Sequence, residues 1–298
     1  MRETTQHQPE EEQTYTEADT RPTRPLAAAA ASIPMCVDLH PGLAVAQATD
    51  VGLKRRRNED SYWVMGSELC DRAGTKPIGL FVVADGMGGH EAGDAASSAA
   101  TRVVASYVAR EFVVPFLVDH SHSNSLPPIA EVLSRAIETA HVIVSRQIPN
   151  AGTTLTAALV LANRVYLAHV GDSRAYLFSQ QGFHQLTQDH SLRSQLRAHA
   201  KENPDLDTEN VNRNLLYKAV GQQGTLDVDT TLKDFPPSSC LLLCTDGLWD
   251  KVPDHEIRNI LFISPTPKAA VRQLIAEANQ RGGDDNVTAI LVARGPES

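Results

Sequence analysis

Apolar and polar positions divide the chain into an unpatterned first stretch and a patterned remainder that begins at Leu43. Leu43–Thr49 reads as a strand, followed by a turn at Asp50-Val51-Gly52. Ser61–Met65 reads as a second strand. Ile78–Ala84 is a continuous apolar run, the pattern of a strand buried on both faces, and it ends abruptly at Asp85. A glycine-rich turn, Gly86-Met87-Gly88-Gly89-His90, leads into the first helix.

That helix spans about Ala92 to Val114, with Ala96, Ala99, Ala100, Val103, Val104 and Val108 near helical spacing, and Pro115 is expected to end it within a few residues. A polar loop at His120–Ser125 follows. Pro127 and Pro128 open a second helix that reaches about Gln147. Next come strands at Gly152–Leu161, Val165–Val170 and Ala175–Phe178, the last closed by a hairpin turn at Gln180-Gln181-Gly182. These predict an antiparallel β-meander. Residues 188–220 are polar, with a short helix broken at Asn203-Pro204. Strands resume at Val228–Leu232 and Cys240–Cys244, helices at Asp254–Phe262 and Pro267–Asn279, and a final strand at Asn286–Val292. Strands and helices fall in groups rather than alternating, which favours a layered α+β architecture over a Rossmann fold. No internal repeat is present.

Residues 1–40 are rich in Glu, Gln, Thr, Pro and Ala and hold too little apolar surface to offset the entropy of ordering. The expected organisation is a disordered tail over 1–40 and one domain over 41–298. A length of 298 residues, 42% hydrophobic and 21% charged, suits one large core. The net charge of −9 argues against nucleic acid as a partner. Cys36, Cys70, Cys240 and Cys244 match neither a CxxC pair nor a zinc ribbon. Cys240 and Cys244 share one strand face and read as core thiols, which fits a reducing cytoplasm. No apolar run approaches the ~18–20 residues of a membrane span, and the alanine tract at Ala27–Ala31 is too short for a secretory core.

Candidate chemistry lies at the strand ends. Asp85, Asp172, Asp246 and Asp285 each stand where an apolar run begins or stops. Asp-Gly alone is a common turn. Four such ends on neighbouring strands would bring four carboxylates together, and these repel unless protonated or neutralised by a cation. Oxygen ligands select Mg²⁺ or Mn²⁺. Two such ions lower the pKa of a bridging water and clamp the oxygens of a displacement. Arg55-Arg56-Arg57, just before Glu59-Asp60, offers guanidinium groups matched to phosphate, although the run also reads as a solvated turn and composition does not say which arginine points inward.

Five ordered blocks carry a resemblance. They are Thr49-Asp50-x-Gly52-x-x-Arg55-x-x-Asn58-Glu59-Asp60, Ala84-Asp85-Gly86-Met87-Gly88-Gly89-His90-x-Ala92-Gly93, Gly152-Thr153-Thr154 with His169-x-Gly171-Asp172-Ser173-Arg174, Leu243-Cys244-Thr245-Asp246-Gly247-Leu248-Trp249-Asp250, and Asp284-Asp285-Asn286-Val287-Thr288. Over about residues 43–293 the chain resembles the metal-dependent Ser/Thr protein phosphatases of type 2C (the PPM family), in the bacterial-type branch. The resemblance implies two packed antiparallel sheets, a β-sandwich, flanked by pairs of helices, with a binuclear Mn²⁺ or Mg²⁺ centre at one end. By position, Asp85 bridges both ions, Gly86 offers its carbonyl, and Asp246 and Asp285 complete the ligands. Glu59 and Asp60 match acids that ligate directly or through water. Asp172 and Asp250, with Asp246 shared, match acids near a third ion. Arg55 matches the arginine that holds the substrate phosphate. Residues 188–220 correspond to the mobile flap.

Many eukaryotic members have histidine at the Met87 position, proposed as the general acid. Methionine leaves proton delivery to water. The implied activity is hydrolysis of phosphoserine and phosphothreonine in proteins by a metal-bridging water, opposing a Ser/Thr kinase, by a cytoplasmic monomer that contacts neither membrane nor nucleic acid. Two other readings compete with it. A catalytically dead scaffold would have lost metal acids, and another two-metal enzyme such as a phosphodiesterase would act on diesters.

Overall fold

The computed structural model describes Met1 and residues 42–71, 74–88, 92–118, 126–200 and 215–296. The expected tail, His90, the 120–125 loop and Asn203-Pro204 lie outside these residues. The chain divides into two units, Met1–Ala30 and Ala31–Ser298, and every element below belongs to the second.

Among the described residues, eleven strands form two antiparallel sheets. They are β1 (Leu43–Asp50), β2 (Asp60–Asp71), β3 (Gly74–Met87), β4 (Gly152–Thr153), β5 (Leu155–Leu161), β6 (Arg164–Val170), β7 (Arg174–Ser179), β8 (Gly182–Gln185), β9 (Asp229–Asp234), β10 (Cys240–Cys244) and β11 (Val287–Arg294). One sheet runs β1-β11-β10-β7-β8 and the other β2-β3-β5-β6-β9, with β4 paired to the end of β3. The helices are α1 (Ala92–Val108), α2 (Val114–Val118), α3 (Ile129–Gln147), α4 (Leu192–Ala200), α5 (Asp246–Trp249), α6 (Asp254–Ile263) and α7 (Pro267–Gln280).

Period-two alternation builds three apolar layers. Phe81 and Val83 of β3 meet Leu241 and Leu243 of β10 and Ile290 and Val292 of β11 between the sheets. Leu80 and Val82 point the other way, onto α1 and α3. Cys240, Leu242 and Cys244 face α6 and α7, and both cysteines are free buried thiols. The continuous apolar runs of the sequence are thus strands covered on both faces, in a helix–sheet–sheet–helix stack. Each fully buried Leu or Ile contributes about 1.5–3 kcal/mol.

Three differences from the sequence reading bear on the site. The meander is broken: β6 pairs with β5 and β9, whereas β7 pairs with β8 and β10 in the other sheet. The chain crosses between sheets at Gly171–Ser173, because alternating apolar residues serve one sheet as well as two. The run 152–161 is interrupted at Thr154, whose N–H donates to Asp85 O at 2.9 Å. Finally, the first helix is not regular throughout. The coil widens to a π segment at Ala109–Val113 and resumes as α2, whose last residue, Val118, lies three positions past Pro115, as the proline leads one to expect.

Candidate metal and phosphate site

All the anticipated acids lie at one end of the sandwich. The antiparallel register sets Asp60, the first residue of β2, opposite Asp85 near the end of β3. It sets Cys244, the end of β10, opposite Arg174 at the start of β7 and Ala289 near the start of β11. Asp246 follows β10 directly, Asp285 precedes β11, and Asp172 sits in the crossover before β7. Strand direction alone therefore gathers residues drawn from more than two hundred positions.

A cavity of about 240 Å³ opens there, lined by Arg55, Glu59, Asp85, Gly86, Met87, Gly88, Thr154, Asp172, Leu216, Asp246, Asp285 and Asn286. Of the three consecutive arginines, Arg55 is the one that lines it, and its Nη2 lies 2.7 Å from Asp285 Oδ2. Gly86 has no room for a side chain, since a Cβ would sit 2.1 Å from Gly93 O and 2.6 Å from Glu59 O. Asp60 stands behind the wall, 9% exposed, with Oδ2 accepting from Thr245 Oγ1 at 2.8 Å.

Burial and crowding raise the pKa values of these acids. Burial, opposed by threonine hydroxyls and reinforced by the charges of Asp246 and Asp285, pushes Asp60 up to about 7. Burial and the Asp285 charge push Asp246 up to about 6, while a hydrogen bond with Asp85 acts the other way. Asp85 is held well above the carboxylate range by burial and then by Asp60, Asp246, Asp172 and Asp285. Asp172 is raised by burial and Asp246. Glu59 is raised by burial, which Arg55 opposes. Such mutual elevation marks a site built to receive positive charge from outside.

Three residues the sequence reading assigned no role hold the site together. Asn286 Oδ1 accepts the Glu59 N–H at 2.7 Å, and its Nδ2 donates to Val51 O at 2.9 Å and Arg57 O at 2.8 Å. It thereby fixes the whole Arg55 loop to the start of β11. Thr154 Oγ1 accepts the Asp85 N–H at 2.9 Å and meets Ser173 Oγ at 2.7 Å. Thr245 joins Asp60 to β11 by accepting the Thr288 N–H at 3.0 Å. The available signal was a polar residue at the end of a buried apolar run, as at Thr245.

A second cavity, about 360 Å³, shares Asp172 and Asp246 with the first and adds Arg174, Asp189, Arg193, Trp249 and Asp250. The charges it adds are already paired. Arg174 makes a two-pronged contact with Asp189 at 2.9 and 2.7 Å and lies 3.6 Å from the centre of the Trp249 ring. Asp250 stands 3.8 Å from Arg193 and 3.7 Å from Lys251, so it faces this second cavity rather than the first.

The family model described as protein phosphatase 2C matches residues 68–291. The chain belongs to this family. It is 36% identical over 246 residues to the serine/threonine phosphatase stp of Listeria monocytogenes, spanning 83% of this chain and 94% of that protein. The Mycobacterium tuberculosis serine/threonine phosphatase PstP/Ppp shares the fold at 30% identity and a TM-score of 0.66, covering 85% of this chain and 99% of that one. The catalytic domain of PstP in complex with two manganese ions superposes with a TM-score of 0.64 at 28% identity, covering 85% and 98%.

The acids of this 2C phosphatase fit a hard divalent cation. The buried atoms Asp60 Oδ1 and Asp246 Oδ1 have no hydrogen-bond partner, and the donors are all oxygen. As the side chains stand, no three acidic, imidazole or thiol groups among the described residues surround one point, and Asp285 is turned to Arg55.

Proposed function

We propose that this phosphatase hydrolyses phosphoserine and phosphothreonine in proteins, using Arg55 to hold the phosphoryl group. The observation that carries this reading is the pairing, in one cavity, of Arg55 with a cluster of acids that includes Asp246, whose buried Oδ1 lacks a partner. Asp85, Asp246, Asp285 and the Gly86 carbonyl would hold two Mn²⁺ or Mg²⁺ ions. Glu59 and Asp60 would support them directly or through water, and Asp172, Asp246 and Asp250 would hold a third. Bound there, the ions supply a water of lowered pKa and positive charge for the phosphoryl oxygens.

Arg55 is half exposed, so its guanidinium is free to turn from Asp285 to two phosphoryl oxygens without unfolding its loop. Its charge is secure: burial lowers its pKa, but the Asp285 contact more than offsets this. Asn286 keeps the Arg55–Glu59 backbone in register during that turn. Met87 lines the cavity and carries no ionisable proton, so the leaving alkoxide takes its proton from water in the cleft. The substrates are phosphoproteins made by a Ser/Thr kinase that this enzyme opposes in the cytoplasm as a monomer. Among the described residues no helix is long and apolar enough to cross a membrane. Residues 41–298 form the catalytic domain, residues 188–220 its flap, and residues 1–40 its tail.

The test is phosphate release by purified protein with Mn²⁺, from a phosphothreonine peptide and, in parallel, cleavage of bis(p-nitrophenyl) phosphate. Mn²⁺-dependent release from the peptide is expected. Cleavage of the diester without release from the peptide overturns the reading in favour of a phosphodiesterase.

A further inference from the structure

His190 lines neither cavity, yet it is 2% exposed and every polar atom it carries is used. Its backbone N–H donates to Gly171 O at 2.7 Å. The Gly171 N–H donates in return to His190 Nδ1 at 3.1 Å. One residue therefore holds both polar atoms of Gly171. That glycine has φ +108°, and a Cβ on it would lie 2.6 Å from the Thr154 side chain, so the turn has no freedom to accept another residue. The orientation of the peptide that follows fixes where the Cα–Cβ bond of Asp172 points. Asp172 is 5% exposed and lines both cavities, so a modest rotation there would move its carboxylate from one to the other.

The other side of the ring is equally constrained. Because Nδ1 accepts, the neutral ring carries its proton on Nε2, which faces Asp229 Oδ2 at 3.1 Å. Asp229 is the first residue of β9 and is held in turn by Lys218 Nζ at 3.2 Å. The ring of His169 lies 4.9 Å away and is itself fixed by Thr156 Oγ1 at 2.9 Å and Gln188 O at 3.1 Å. The His190 carbonyl accepts the Tyr217 N–H at 3.0 Å, so the same residue ties together the two ends of the 188–220 segment. An apolar side chain would fill this space at lower desolvation cost. A fully satisfied polar network instead selects one conformation.

We infer that His190, oriented by Asp229, is a positioning residue that aims Asp172 into the cleft. The inference rests on the reading of Asp172 as the holder of a third, weaker cation. Catalysis by His190 itself is not involved, since it reaches no reacting atom.

The test compares His190→Ala, His190→Asn and Asp229→Ala in the full chain, and His190→Ala combined with Asp172→Ala. Mn²⁺ binding is read by calorimetry on metal-stripped protein, alongside kcat and KM for a phosphothreonine peptide. Asp172→Ala defines the cation site that depends on that acid. His190→Ala is expected to weaken that site by about 10-fold or more and to leave the tighter sites within about 2-fold. It should lower kcat with little change in KM, and add nothing in the Asp172→Ala background. His190→Asn, whose Oδ1 takes the place of Nδ1 as acceptor for Gly171, should recover most of the loss. Asp229→Ala should give a smaller shift at the same site, and it decides the matter if His190→Ala does not fold.

Equal weakening of all sites, or an additive loss in the Asp172→Ala background, overturns the inference in favour of a purely structural histidine. If Asp172→Ala removes no cation site, the inference falls while the two-ion phosphatase reading stands. If the unaltered chain binds Mn²⁺ but releases no phosphate, the phosphatase reading falls and the calorimetry alone decides the role of His190. An unaltered chain that binds no Mn²⁺ overturns both.

Discussion

The two cavities at the end of the sandwich share Asp172 and Asp246 but treat charge in opposite ways. In the larger one, Arg174 is locked to Asp189 by two hydrogen bonds and stacked on Trp249, so the charges it does not share with the other are paired within the protein. In the smaller one, Asp246 buries an oxygen without a partner, as does Asp60 behind its wall, and burial and the neighbouring acids hold Asp85 well above the carboxylate range. An ion pair closed in on itself holds loops in place. A set of acids that cannot all ionise unaided is a receptor for cations. Counting charged residues would not separate the two cavities; asking whether each charge already has its partner does.

Substitutions break this contrast in order of effect. Asp246→Ala should reduce phosphate release by more than about 10³-fold while the fold is kept, as shown by an unchanged circular dichroism spectrum. Arg55→Ala should cost about 10²–10³ in kcat/KM toward a phosphopeptide. Arg55→Lys should recover only part of this, because an ammonium cannot grip two oxygens in a plane. Arg174→Met belongs to the other class. It leaves Asp189 buried without a counter-charge, held by the Gln185 amide at 3.0 Å, and urea unfolding should show a loss of about 3 kcal/mol, with activity per folded molecule changed far less than by Arg55→Ala.

The smallest effect is a pH dependence. Asp60 at about 7 and Asp246 at about 6 lie above the ~3.9 of an unfolded aspartate, so the metal-free folded chain holds protons that the unfolded chain releases. Their contribution to stability is full below about pH 4 and is lost as pH rises through 6 to 7. Mn²⁺ displaces those protons, so its addition should raise Tm little at pH 5 and increasingly toward pH 8. Equal shifts at both pH values, measured by scanning calorimetry, would show that these acids do not compete with the cation.

Much of the site was legible because the acids stand at strand ends, where an apolar run that stops at a carboxylate stands out. Asp85, Asp246 and Asp285 were readable in this way, and direction of pairing did the rest. The choice of Arg55 over Arg56 and Arg57 came only from the family resemblance, because in the fold it depends on Asn286 drawing the loop backbone toward β11 across more than two hundred positions. Asp60 sitting behind the wall and Asp250 facing the other cavity were equally hidden, since a register fixes neighbours but not which side of a partition a side chain takes. The crossing from β6 to β7 escaped for a simpler reason: Val165–Val170 and Ala175–Phe178 alternate alike whichever sheet they join. The π segment before Pro115 was not legible either, because nothing in the run Ala109–Val113 distinguishes a widened turn from a regular one.

The central claim is that the unpartnered acids are a cation site on which hydrolysis depends. Its most direct test is Mn²⁺ titration of the metal-stripped protein by calorimetry, repeated on Asp85→Asn, with phosphopeptide hydrolysis followed in the same samples. The account expects saturable Mn²⁺ binding that switches on phosphate release and is lost in Asp85→Asn. Full phosphate release in excess EDTA, or undiminished Mn²⁺ binding by Asp85→Asn, would contradict it.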